Sequence, residues 1–169
     1  MSLASGTTNS VALDRLTRLA GRVLDVPVVS VSLVDADRRL STSSYGLSAP
    51  IALLVFWSFM KQVIASDGPL VVEDGWKHPL AARNRAVRDG TVAAYVGMPL
   101  VTSDGRAIGT LSVMDRRPRR WSARQLELLR EFSALIVGET ASGRRHSTSV
   151  SALATPTRGS LPWRGLRRH

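Results

Sequence analysis

The stretch that most restricts the fold lies between two β-rich runs, residues 92–101 and 106–114, joined by Ser103-Asp104-Gly105. Asp-Gly accepts the positive φ that primed turns require, so the two runs are expected to fold back on each other as an antiparallel hairpin. Pro99 lies inside the first run and has no N–H to give to a ladder, so that strand must meet an edge or a bulge there. Gly97 and Gly109 allow close backbone approach within the same pair of strands. A chain built on this hairpin needs an antiparallel sheet, with further strands and covering helices drawn from the rest of the sequence.

Those elements are visible as changes of period. Residues 28–34 (VVSVSLV) alternate Val29, Val31 and Leu33 with Ser30 and Ser32, the pattern of a half-buried strand. Asp35-Ala36-Asp37 predicts a turn, and residues 39–45 a weaker strand that ends at Gly46 and pairs with the first. Residues 70–72 form a brief strand after the breaker Asp67-Gly68-Pro69. The first helix spans 11–25, with Leu13, Leu16, Ala20 and Val23 on one face and Pro27 after its end. A second spans 55–65, with Val55, Phe59, Val63 and Ile64 inward. Loops and a short helix near 80–87 fill residues 73–90. The last helix follows the capping box Ser122-Ala123-Arg124-Gln125, carries Leu128, Leu129, Phe132, Leu135 and Ile136 as its apolar stripe, and ends near Gly138. The order predicts an α+β domain, a central antiparallel β-sheet flanked by helices.

At 169 residues the chain suits one core. It has no cysteine, which excludes disulfides, thiolate metal sites, a nucleophilic thiol and thioether-linked cofactors. The first ten residues show neither a basic start nor an apolar run. The apolar stretch 51–60 is far shorter than the roughly 20 residues of a membrane-spanning helix, so a cytoplasmic location is expected. The formal charge of +10 suggests nucleic acid until its placement is considered. Arg144, Arg145, Arg158, Arg164, Arg167 and Arg168 lie in a final segment without one acid, and the rest carries about +4, ordinary for a soluble domain. The predicted organisation is a flexible leader over 1–10, a folded domain over 11–141 and a disordered Arg-rich tail over 142–169, whose Ser/Thr/Gly/Pro composition cannot offset its ordering entropy. The tail offers salt-dependent contact with nucleic acid or an anionic membrane, with only Trp163 to stack on a base.

Several segments in this order resemble the GAF family: Leu24-Asp25-Val26-Pro27-Val28 running into VSLVDADR, then Gly68-Pro69-Leu70-Val71-Val72-Glu73-Asp74, then Tyr95-Val96-Gly97-Met98-Pro99-Leu100 followed by SDGRAIGTLSVMDRRPR, and the Leu-rich last helix. The resemblance covers roughly residues 11–140. It implies a GAF/PAS-like fold and a role in bacterial-type signal transduction, either as a sensor of a small molecule or as a dimerisation module. It also implies a homodimer through the first and last helices and a partner signalling protein to receive the signal. Relatives often open the second helix with Phe-Cys, whereas this sequence reads Phe56-Trp57-Ser58-Phe59-Met60. A covalently attached bilin and cysteine-dependent sulfoxide reduction are therefore not expected, no cofactor is expected, and the cyclic-GMP signature is absent.

Within that frame Trp57, Met60, Trp76 and Tyr95 are candidate ligand-binding residues between the sheet and the second helix, with Arg83 and Arg85 available to an anionic group. The competing reading fills the pocket with Trp57, Phe59 and Met60 and leaves a protein-interaction scaffold. Residues 49–55 (APIALLV) serve as core, ligand lid or subunit contact. His78 reads as a surface residue, the acidic pairs Asp35/Asp37 and Glu73/Asp74 as turn formers, and the arginines around Pro118 as a solvated loop with Trp121 as an anchor. No phosphate-cradling glycine loop, nucleophile elbow or metal-ligand spacing is present. A regulator rather than an enzyme is the expectation.

Overall fold

The computed structural model describes residues 4–34, 40–66 and 68–148. In chain order it contains α1 (Ala4–Leu24), β1 (Val28–Val34), β2 (Leu40–Tyr45), α2 (Ala49–Ala65), β3 (Leu70–Val72), α3 (Arg85–Arg88), β4 (Ala94–Val101), β5 (Ala107–Asp115) and α4 (Ala123–Thr148). The five strands form one antiparallel sheet in the order β2-β1-β5-β4-β3. Helices α1 and α4 cover one face, where Val29, Val31, Val96, Met98, Leu111 and Val113 meet Leu13, Ala20, Leu24, Leu129, Phe132 and Ile136. Helices α2 and α3 cover the other, where Val28, Leu70, Val72, Tyr95 and Met114 meet Val55, Phe59, Val63, Ala86 and Val87.

The predicted hairpin forms, but not through a primed turn. Gly105 alone among its residues has positive φ, at 80°, and its N–H bonds to the Thr102 carbonyl at 2.9 Å while the Thr102 N–H bonds to Arg106 at 2.8 Å. This is the longer loop in which a glycine in the left-handed region follows an ordinary turn and leaves a bulge; the ladder shifts register between Leu100 and Val101. Pro99 pairs opposite Thr110, beyond the end of β3, which reaches only Gly97. The missing N–H therefore falls where β4 has become an edge, as its chemistry demands.

Other expectations need correction. β1 is not half-exposed: Ser30 and Ser32 are as buried as its valines, because β2 and β5 flank it and helices lie on both faces. On α1 the buried line is Leu13, Thr17, Ala20 and Leu24, and Val23 faces solvent, since 100° per residue carries position 23 off that line. Thr17 is accommodated by donating to the Leu13 carbonyl at 2.7 Å. α1 also reaches back to Ala4, into the predicted leader, because extending a formed helix costs much less than nucleating one. α2 begins at Ala49 with Pro50 in its first turn, a position where the absent N–H is not missed. Residues 51–55 therefore divide: Ala52 and Val55 are buried, Ile51 and Leu54 exposed.

The short helix lies at Arg85–Arg88, capped by the Asn84 side chain. α4 opens on the predicted capping box, with the Ser122 N–H donating to Gln125 Oε1 at 3.0 Å and the Gln125 N–H to Ser122 Oγ at 3.1 Å. It runs through Gly138 to Thr148, because an isolated glycine lowers helix stability by only about 1 kcal/mol. Leu135 points outward and Ser133 takes the inward place. Residues 149–169, and the Asp35–Asp37 turn, lie outside the described residues. Among the described residues no helix is long and apolar enough to cross a membrane.

Candidate functional site

The pleat sends alternate residues to each side of the sheet, and the side beneath α2 is unusually rich in hydroxyls. Ser30 of β1 lies between Ser44 of β2 and Ser112 of β5, and Ser32 lies between Thr42 and Thr110. On β4, Gly97 adjoins Ser112 and Pro99 adjoins Thr110. Ser30, Ser32, Thr110 and Ser112 are all buried. Ser32 and Thr42 share a hydrogen bond of 3.4 Å, and the Ser44 hydroxyl donates to the Leu47 carbonyl at 2.7 Å. Ser30 Oγ is buried and has no hydrogen-bond partner among the described residues. A buried hydroxyl in that state is uncommon, because its desolvation is not compensated.

The roof over this floor is apolar. α2 turns Ala52, Val55, Phe56, Phe59, Met60 and Val63 inward. Phe59 stacks on Tyr95 with ring centroids 4.0 Å apart and planes 9° from parallel. Phe56 and Met60 close the other end against Val34 and Ala107. The Tyr95 ring can lie across the sheet because Gly97 has no side chain: a Cβ there would stand 2.5 Å from Tyr95 Oη and 2.5 Å from Val63 Cγ2. Tyr95 Oη meets Ser112 Oγ at 2.8 Å. Burial holds the phenol well above its ordinary pKa, and the Ser112 hydrogen bond opposes this only in part, so the group is neutral at physiological pH. Asn84 ties α3 to the roof, its Nδ2 donating to the Ser58 carbonyl at 2.8 Å while its Oδ1 accepts from the Ala86 N–H at 2.9 Å.

Of the candidates from sequence, Met60 and Tyr95 lie at this interface. Trp57 is 54% exposed on the outer side of α2, edge-on to Phe56 at 5.2 Å. Trp76 is 58% exposed in the turn after β3, where its N–H bonds to Asp74 Oδ1, and Arg83 is exposed. The structure does not bring these three to the sheet face. The hydroxyl floor escaped the sequence reading, although Ser30/Ser32 and Thr110/Ser112 carried its signal: small polar residues two apart in strands otherwise made of buried apolar residues.

Elsewhere, polar groups serve the fold. Arg119 is held by the Asp25 carbonyl and Asp115, each at 3.3 Å, and lies 4.8 Å above the Trp121 ring. Trp121 is the anchor expected, buried and donating from Nε1 to the Val72 carbonyl at 3.0 Å. Arg116, Arg117 and Arg120 are exposed. His78 Nδ1 accepts from the Leu80 and Ala81 N–H groups at 3.2 and 3.3 Å, closing a turn. Two open clefts, of about 520 and 690 Å³, lie between the hairpin end and α4 and beside Asp115–Arg120.

A five-stranded antiparallel sheet between two helical layers, with a polar floor beneath one helix, makes this an α+β domain. The GAF domain family model matches residues 9–139, and the chain belongs to the GAF family. It is 28% identical over 126 residues to a cyclic di-GMP phosphodiesterase of Pseudomonas aeruginosa, covering 73% of this chain and 21% of that protein. It is 26% identical over 144 residues to diguanylate cyclase DgcP of Escherichia coli K12, covering 80% of this chain and 41% of that protein. The chain thus spans less than half the length of either relative. In fold it matches the GAF domain of an Acinetobacter phosphoenolpyruvate-protein phosphotransferase with a TM-score of 0.61 at 17% identity, over 88% of this chain and 87% of that one.

Proposed function

We propose that the chain is a regulatory, non-enzymatic GAF sensor of cyclic di-GMP signalling in the cytoplasm, holding a small molecule non-covalently between the sheet and α2. Both relatives are named for cyclic di-GMP turnover, and we ascribe their catalysis to the parts of them that this chain does not match. The observation that carries the sensor reading is the buried hydroxyl floor with Ser30 Oγ unpartnered beneath an apolar roof. It is a surface of the mixed character that small-molecule sites have, mostly apolar with a few placed polar groups.

The signal leaves through α1 and α4 in a homodimer, to a partner signalling protein. The two helices pack together and run antiparallel, since Gln125 Nε2 at the start of α4 donates to the carbonyl of Leu24 at the end of α1, at 2.9 Å. Counting back from that bond, Arg22 stands level with Glu127 and Arg18 with Glu131. All four are exposed, and among the described residues none is ion-paired within the chain. Leu19, Val23 and Leu135 are exposed beside them. A second copy brought alongside would set the basic face of one α1 against the acidic face of the other α4.

The rival reading, a ligand-free interaction scaffold, is favoured by the tight Phe59–Tyr95 stack. Native mass spectrometry of the freshly purified full chain separates the two. A reproducible adduct that Ser30 and Met60 variants lose, on a dimer, is the result expected of a sensor. A bare dimer, with no adduct after incubation in cell extract, supports the scaffold instead.

A further inference from the structure

We propose that the molecule held at this site is uncharged and small, and that it offers a hydrogen-bonding group to Ser30 Oγ. The inference rests on the sensor reading above and adds the chemical class of the ligand. Its basis is the inventory of the two surfaces. On the sheet side the described residues are Val28, Ser30, Ser32, Val34, Thr42 and Ser44, continued across β5, β4 and β3 by Thr110, Ser112, Met114, Tyr95, Gly97, Pro99, Leu70 and Val72. The inward residues of α2 are all apolar. Neither surface carries a carboxylate, ammonium or guanidinium among the described residues. Lys61, the one charged residue of α2, is exposed, and so are Arg83 and Arg85.

An anion enclosed here would lose its hydration and meet no counter-charge, a far larger penalty than an uncharged molecule of the same size incurs. A cation would meet only hydroxyl oxygens and ring faces, without a carboxylate. Tyr95 cannot supply the missing charge, since burial keeps its phenol protonated. What the site does offer is donor and acceptor hydroxyls in register, one of them unpartnered among the described residues, beneath an apolar roof. A neutral alcohol, phenol, amide or heteroaromatic ring fits that inventory.

The test is a titration of the uniformly ¹⁵N-labelled full chain with three probes of nearly equal size: phenol, benzoate and benzylammonium. Phenol is expected to shift the amide resonances of Ser30, Ser32 and Ser112, with the two ions binding at least about tenfold more weakly because they are desolvated unpaired. Ser30→Ala should weaken phenol about fivefold, the loss of one hydrogen bond, while leaving the thermal midpoint of the ligand-free protein unchanged or higher, because an unsatisfied buried hydroxyl is removed. Benzoate or benzylammonium binding at the same amides as tightly as phenol overturns the charge inference and leaves the site standing. If no probe moves those amides, the sensor reading of this face fails with it. If Ser30→Ala leaves phenol affinity unchanged, the role of Ser30 is refuted.

Discussion

Gly97→Ala probes how firmly the interior beneath α2 is packed. The new Cβ would stand 2.5 Å from Tyr95 Oη, 2.6 Å from Tyr95 Cε1 and 2.5 Å from Val63 Cγ2, well inside van der Waals contact. Tyr95 cannot swing aside at no cost, because its ring is stacked on Phe59 at 4.0 Å and its hydroxyl is bonded to Ser112 at 2.8 Å. Val63 is fully buried on α2, so relief requires the helix to lift. Overpacking of this kind costs about 2 kcal/mol, which for a domain of this size lowers the melting midpoint by roughly 5–10 °C. Calorimetry or urea unfolding measures it directly. The same substitution made in a Tyr95→Ala background should cost about half as much, because the ring is gone while Val63 Cγ2 still stands in the way. A cost for Gly97→Ala that stays within about 0.5 kcal/mol in the native background refutes the picture of a ring fixed by its neighbours.

Tyr95→Phe leaves Ser112 Oγ without its partner and should destabilise by about 1–2 kcal/mol at pH 7. The folded-state pKa of Tyr95 is raised, so its contribution is fully present below the unfolded value of 10.0 and is lost as pH climbs above it, by about 1.4 kcal/mol per pH unit for one proton. Urea midpoints of the native chain and Tyr95→Phe should therefore converge between pH 10 and 11, and parallel curves would refute the assignment. Trp121→Phe removes the donor to the Val72 carbonyl and leaves a smaller ring face beneath Arg119, with an expected loss of about 1–3 kcal/mol by chemical denaturation. Arg18→Glu should weaken the dimer in sedimentation equilibrium and Glu131→Arg in the same chain should restore it; a monomeric native chain ends that model.

Much of the architecture is legible in the residues because local chemistry dictates it. Asp104-Gly105 announces a hairpin, Ser122 and Gln125 cap a helix through bonds that form within one turn, and β-branched alternation marks β1 whatever it pairs with. Each signal depends on neighbours a few positions away. Burial does not, which is why the exposed sides of Val23 and Leu135 and the enclosed sides of Ser30 and Ser32 were misread. Period identifies a face, but only the packing of distant elements determines which face is covered. The same holds for Trp57 and Trp76, large enough to line a pocket by composition alone but turned outward by the phase of α2 and by the turn at Asp74.

By itself, then, the sequence determines the element types, their order and their family, since hydrogen bonds along a helix, turn φ angles and side-chain period are set locally. The site depends on long-range packing. Strand register brings serines and threonines from β1, β2 and β5 into one buried floor, Gly97 makes room for Tyr95 above it, and α2 roofs both. These residues are as far apart as Ser30 and Ser112 in the chain, and only the pairing of β1 with β5 makes them neighbours.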